Sequence, residues 1–306
     1  MSGFAYFISA YKDPGSIVRL VNALAQDSDQ FYIHFDKKVE DKTFNRWKSL
    51  IEKKCRTENI QIISKYQCKW GAFGIVDATL SAMNFFEDSE YDYFINLTGE
   101  CYPLKPPQQI KDAFRDEKAG FMVFWKLPYE AWYQGGMARI NKRTFFLPQK
   151  KYPYVKLINI PRFRKKIPGN LEPYGGWSLF CLPKDIVSYA LKFTEKNPEV
   201  KSFFKRVFAP GEMFFQTILM NSPYRHRIIN DHKRYMDFVD SHPRVLTKDD
   251  FGTLKTSGKL FARKFDPTVD EEVLDLIDKE NEEQVWKQVR HHSRKHVTSG
   301  ARHTRK

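Results

Sequence analysis

FAYFISAYKDPGSIVRLVNAL (4–24) decides the fold class of this chain. Phe4–Ser9 carries almost no polar interruption, the pattern of a strand covered on both faces. Asp13 and Pro14 then mark a helix start, because aspartate caps the free N–H groups and proline has none to lose in the first turn. Ile17, Leu20, Val21 and Leu24 recur at helical spacing and give that helix one apolar stripe. The same unit repeats outward. Phe31–His34 is a strand, 43–53 a helix, Ile60–Ile63 a strand, and Val76, Leu80 and Met83 mark a helix before the strand Tyr93–Asn96. This alternation predicts an α/β fold with a mostly parallel central sheet flanked by helices. Ligands of such sheets bind beyond the carboxyl ends of the strands, so Ser9–Pro14, His34–Lys38 and Leu97–Tyr102 are the expected site loops.

Past Phe121 the pattern loosens. Phe121–Trp125 reads as a strand, but 126–172 is rich in Pro, Tyr and basic residues and has little periodicity. A long loop inside a compact domain is usually functional, so this stretch is expected as an excursion on the acceptor side of a site. Gly175–Phe180 is the next strand, and helices at Lys184–Lys196 and Val200–Phe208 lead into APGEMFFQTILMNS (209–222). There Pro210 and Gly211 read as a helix start, and Met213, Phe214, Phe215, Ile218 and Leu219 as a buried helix. Glu212 falls in its first turn, where free N–H groups favour a carboxylate. Tyr235–Phe238 and Leu260–Phe265 are short strands and Val269–Glu280 a last amphipathic helix. The expected organisation is one domain over 1–284 followed by a flexible basic tail, 285–306.

Hydrophobic residues make up 42% of the 306 and aromatic residues 15%, which excludes general disorder. No run approaches the roughly 20 apolar residues of a membrane span, and no leader peptide is read at the N-terminus. Cys55, Cys68, Cys101 and Cys181 have no metal or redox spacing, so free thiols and a cytoplasmic location are expected. Net charge is +14, with seven Lys/Arg and no acid in 285–306 and ten without an acid in 131–171. That asymmetry points to a polyanionic partner such as anionic lipid, a phosphorylated glycan, a nucleotide or nucleic acid. Solvated lysines explain the tail equally well. The interleaved Tyr and Phe of 131–171 would also suit a non-catalytic nucleic-acid or membrane-binding module. The preferred reading is a glycan acceptor, acidic or lipid-linked, met at the inner face of a membrane, with no nucleic acid.

Three separated residues fit one chemistry. Glu212 can act as a base, while Arg244 follows a strand beside the stiffening Pro243, and Lys264 is a cation inside an apolar strand. Displacing a nucleoside diphosphate from a sugar needs a base for the acceptor hydroxyl and cations for the charge growing on the phosphates. Metal-dependent transferases supply paired carboxylates instead. No Asp-X-Asp follows an early strand here, and no GxGxxG or GxxxxGK[ST] motif is present. Neither a metal nor a cofactor is expected. Trp70 is expected to pack beneath the Gly71–Gly74 turn, and Trp177 to stack on a sugar.

IHFDKK (33–38), KWGAFGIVDA (69–78), YDYFINLTGECYPLK (91–105), GGWSLF (175–180), APGEMFFQTILMNS (209–222) and LFARKFD (260–266) occur in an order that is itself informative. From Ala5 to about Asp275 the sequence resembles the core-2/I-branching β-1,6-N-acetylglucosaminyltransferases together with the peptide xylosyltransferases. The resemblance implies a GT-A-like nucleotide-sugar fold and an inverting, metal-independent transfer of GlcNAc from UDP-GlcNAc to a glycan hydroxyl. It implies Glu212 as catalytic base and Arg244 and Lys264 as the grip on the UDP diphosphate. Ile8, Ser9, Ala10, Asp36, Lys37 and Lys38 fall where the family meets the nucleotide sugar, with Asp36 on uridine or ribose. Gly211 stands where the branching enzymes carry Asp. That departure and FARKFD lean towards the xylosyltransferase branch, so UDP-xylose is the alternative donor.

Overall fold

The computed structural model describes residues 3–115, 117–146, 155–158, 166–239 and 242–300. Its centre is a sheet of seven strands: β1 (Gly3–Ala10), β2 (Gln30–Phe35), β3 (Ile60–Ile63), β4 (Tyr91–Thr98), β5 (Gly120–Lys126), β6 (Tyr174–Pro183) and β7 (Ile228–Ile229). They lie in the order β7-β5-β6-β4-β1-β2-β3. β1 is parallel to β2 and β4, β2 to β3, and β5 to β7. Only β6 among them runs antiparallel to its neighbours, β4 and β5. The chain is a mixed α/β protein with a mostly parallel sheet, as the alternation predicts.

The two-sided burial of β1 explains its unbroken apolar run. Phe4, Tyr6 and Ile8 enter the core on one face of the sheet, and Ala5 and Phe7 the core on the other. The helix Pro14–Leu24 covers the first face with Ile17, Leu20, Val21 and Leu24, its N-terminus capped by Asp13 on the Gly15 N–H at 3.0 Å. The helix Gly74–Phe85 covers the second with Val76, Leu80 and Met83. Burying one such large apolar side chain is worth about 1.5–3 kcal/mol, so this double layer outweighs any local propensity.

Parallel pairing aligns the strand ends. Ser9 lies opposite His34 on one side and Thr98 on the other, which brings the three expected loops to one edge. A small sheet then carries the C-terminal third to the same edge: Cys101–Pro103 pairs antiparallel with Phe261–Arg263, which pairs with Arg234–Tyr235.

Four expectations need correction. Residues after Ala209 do not enter an α-helix directly: Pro210–Glu212 is a 3-10 turn, Met213 leaves helical geometry, and the α-helix is Phe214–Met220. Pro210 disfavours helical geometry at Ala209, which is left-handed (φ 50), and the first turn closes tightly instead. Tyr235–Phe238 is not one strand, because Arg234–Tyr235 joins Phe261–Ala262 whereas Phe238–Val239 pairs with His242–Pro243. The last helix runs Glu272–Gly300, so the backbone of the expected tail is helical that far; 301–306 lies outside the described residues. Finally, the excursion has structure of its own. It holds a 3-10 turn (Tyr133–Gly136), a helix (Met137–Asn141) and a strand pair, Arg143–Phe146 with Val155–Ile158. Parts of its basic stretch, 147–154 and 159–165, lie outside the described residues.

Candidate active site

A cavity of about 560 Å³ opens at the carboxyl edge of the sheet, within the range of small-molecule sites. The β1, β2 and β4 loops supply Ser9 to Asp13, His34, Asp36, Lys38 and Thr98 to Glu100. The 68–75 segment forms one wall, and Ala209, Gly211 and Glu212 another. Arg263 and the Phe265–Thr268 turn close it from the small sheet.

Asp36 is 3% exposed, and its oxygens accept the Lys38 N–H at 2.9 Å and the Cys68 N–H at 3.2 Å. Its carboxylate therefore ties the β2 loop to the 68–75 wall. His34 makes a second tie through Nε2, which accepts from the Tyr66 N–H at 3.0 Å. Burial holds this imidazole neutral, lowered to about 4, so Nε2 keeps its lone pair. Burial also pushes the neighbouring Cys68 thiol up to about 12, with the Asp36 charge adding to it, so the wall carries no thiolate.

Glu100 is the hub of the opposite side. The Tyr11 hydroxyl donates to its Oε1 at 2.9 Å, and burial with that bond raises the phenol. The ammonium groups of Lys12 and Lys264 lie 3.4 Å from the same oxygen, and Arg263 Nη2 lies 3.5 Å from Oε2. Lys12 also meets Asp266 at 2.7 Å, and that bond holds the Asp266 carboxyl low, at about 2. Three cations thus share one carboxylate at long range, and among the described residues only Lys12 is bonded closely elsewhere. On the far wall Arg139 Nη1 donates to Glu212 Oε2 at 2.6 Å. Among the described residues no group of three or more His, Cys, Asp or Glu is arranged to hold a metal ion.

The family model of the Core-2/I-Branching enzyme matches residues 4–255. The chain belongs to the Core-2/I-Branching enzyme family. Among curated relatives, Xylosyltransferase 2 of Rattus norvegicus is 23% identical over 287 residues, covering 85% of this chain and 31% of the relative. Xylosyltransferase 1 of Mus musculus is 24% identical over 294 residues, again 85% of this chain and 28% of the relative. The chain thus spans about a third of the length of the curated relatives it matches. Two solved structures share the overlap only loosely. The S. aureus TarS fragment 1–349 gives a TM-score of 0.34 at 11% identity, covering 74% of this chain and 68% of that one. The apo form of mouse Xyloside xylosyltransferase 1 gives 0.34 at 12% identity, covering 72% and 83%.

Of the positions that the Core-2/I-Branching resemblance marks, Ser9, Ala10, Asp36, Lys38 and Glu212 line the cavity. Lys264 stands one step behind it, on Glu100. The other four do not line it either. Ile8 is fully buried in the core, so its side chain meets no ligand. Lys37 turns out to Asp41, 2.6 Å away. Arg244 is held by Asp237 at 2.6 Å and by both oxygens of Asp250 at 2.5 and 2.8 Å. Trp177 packs against His232 and Phe238, with ring centroids 4.6 and 5.2 Å away. Successive residues of a strand face opposite ways, so it is Ser178 that reaches the cavity. Trp70 also departs from expectation: it is 70% exposed at the cavity wall, edge-on to Phe208 rather than beneath the turn.

Space at Gly211 is tight. A Cβ there would stand 2.9 Å from Ile75 Cγ2, so any larger residue would displace the isoleucine from the cavity wall. Sequence reading missed Tyr11, Lys12, Glu100, Arg263 and Arg139. The first two directly follow β1, Glu100 sits in a flagged loop, and Arg263 adjoins Lys264, so position alone could have nominated them. Arg139, in the aperiodic excursion, gave no such signal.

Proposed function

We propose that this chain is an inverting glycosyltransferase that moves a sugar from a UDP-sugar to a hydroxyl of a glycan. Family membership supports the class, and the observation that carries the mechanism is that the Glu212 carboxylate lines a cavity also lined by Lys12, Arg263 and Glu100. Glu212 takes the proton of the acceptor hydroxyl as that oxygen bonds to the anomeric carbon. The bond from that carbon to the phosphate oxygen breaks on the opposite face, which inverts the configuration. The electron pair leaves on UDP, and Arg263, Lys264 and Lys12 neutralise the growing charge in the role a metal has elsewhere. Asp36 and the β1 loop hold the nucleoside. Arg244 has no direct part, since three close bonds to carboxylates already satisfy its guanidinium.

The donor in this reading is UDP-GlcNAc. UDP-xylose is the second reading, favoured by the xylosyltransferase relatives and by the close approach of Ile75 to Gly211, which narrows the wall beside the base. The acceptor is a glycan, and an anionic membrane surface would serve to present it. Among the described residues no helix is long and apolar enough to cross a membrane.

Hydrolysis of each UDP-sugar, with water as acceptor, tests both parts. One donor should turn over and Glu212→Gln should lower its rate by about 10²–10⁴-fold while leaving UDP-induced thermal stabilisation in place. Full turnover by Glu212→Gln would move the base elsewhere. Stabilisation by RNA or anionic vesicles but not by UDP would favour the non-catalytic module.

A further inference from the structure

Arg139 and Glu212 are brought together from distant parts of the chain, and Glu212 lines the cavity, the two side chains being 20% and 33% exposed. The arginine comes from the short helix Met137–Asn141 of the excursion. Its guanidinium carbon lies 3.8 Å from the centroid of the Trp132 ring and 5.7 Å from that of Phe208. Both rings are themselves fixed. Trp132 meets Trp125 edge-on at 5.1 Å, and two backbone positions are moulded to it. A Cβ at Gly136 (φ +79) would come within 2.7 Å of its ring, and one at Gly175 within 2.8 Å. Phe208, four residues before Glu212, is packed edge-on against Trp70 at 5.0 Å.

A guanidinium lying on aromatic faces keeps its N–H edge free in the ring plane, whereas a lysine ammonium would have no such orientation. Here that edge meets one oxygen of the carboxylate, Oε2, at 2.6 Å. A single ion pair near the surface contributes little to stability, so the seating of this one on two aromatic rings is out of proportion to a structural role. On the reading of Glu212 as base, we infer that Arg139 is a positioning residue. Seated on Trp132, it fixes the plane of the Glu212 carboxylate and leaves Oε1 as the oxygen that takes the acceptor's proton. The excursion therefore completes the active site, and its 132–139 segment is the part that does so.

The test is a double-mutant cycle on donor hydrolysis, using whichever of UDP-GlcNAc and UDP-xylose the wild-type protein turns over. Arg139→Met should lower kcat by about 10²-fold, the cost of a misplaced catalytic group, with KM for the donor and the UDP-induced thermal shift unchanged. Arg139→Lys should recover part of the rate. In a Glu212→Gln background the same Arg139→Met change should cost nothing more, because both act through one carboxylate. Unchanged kcat in Arg139→Met, or a loss that multiplies fully with that of Glu212→Gln, overturns the proposal. If Arg139→Met does not fold, the milder Arg139→Lys carries the same cycle with a smaller loss. Full activity in Glu212→Gln would reject the base itself, whereas an inactive Glu212→Gln beside a fully active Arg139→Met rejects the positioning role alone.

Discussion

Two groups of basic residues meet carboxylates in opposite ways. Around Arg244 the partners are close and complete: Asp237 on one edge and a two-pronged contact with Asp250 on the other. Around Glu100 they are loose, with Lys12, Arg263 and Lys264 at 3.4–3.5 Å from a single carboxylate. A guanidinium already bonded along two edges has few donors left for a ligand. Three cations against two carboxylates, Glu100 and Asp266, still favour another anion, and a leaving diphosphate would supply it. Basic character alone does not mark a phosphate site; unspent hydrogen-bonding capacity at a cavity does.

Substitution gives the largest separation of the two groups. Removing one of the loose cations, by Arg263→Met or Lys264→Met, should weaken UDP binding by about 10–100-fold, the worth of a charge-assisted hydrogen bond. Arg244→Met should leave UDP affinity within about twofold. Its effect belongs to the fold: a partly exposed clamp is worth about 1 kcal/mol, or a fall in melting temperature of about 2 °C. Equal losses of affinity in all three variants would erase the distinction.

Acidification sharpens the comparison by a smaller amount. Asp266 is held at about 2 by Lys12, and the Arg244 bond lowers Asp250, so these two carboxylates stay charged down to pH 5. His34 and His232, in contrast, are held neutral by burial, at about 4 and about 3, with the Arg234 charge adding to the effect on His232. Unfolded histidine titrates near 6.5, so below that pH the unfolded chain binds protons that the folded chain refuses. Stability should be full above about pH 6.5 and decline as the pH falls towards 4. The melting temperature followed from pH 7 to 5 should fall, and His34→Asn should flatten part of that slope. A flat profile in the parent protein would show that these imidazoles are not held neutral.

Much of the framework was legible because burial enforces a period. β1 through β4 and the helices between them follow from apolar spacing, and the capped start at Asp13 was visible as Asp-Pro. Of the cavity lining, Asp36, Lys38 and Glu212 were legible because a motif fixed their position. At one strand the reading missed by one place: with a period of two, the sequence names Trp177 while Ser178 meets the cavity. Lys264, expected inside a strand, follows its last residue, Arg263, which is the one that lines the cavity. Arg244 lies off the cavity for a local reason, since Asp237 and Asp250 stand within seven residues of it and could have been weighed as its partners. Arg139 was out of reach, because nothing in an aperiodic, basic stretch says which arginine will meet a carboxylate far along the chain.

The most direct measurement is calorimetric titration of UDP into the wild-type protein after exhaustive treatment with EDTA, repeated with added Mn²⁺. If Lys12, Arg263 and Lys264 supply the positive charge, binding should be present in EDTA and unchanged by the metal. Binding that appears only once Mn²⁺ is added would contradict the account.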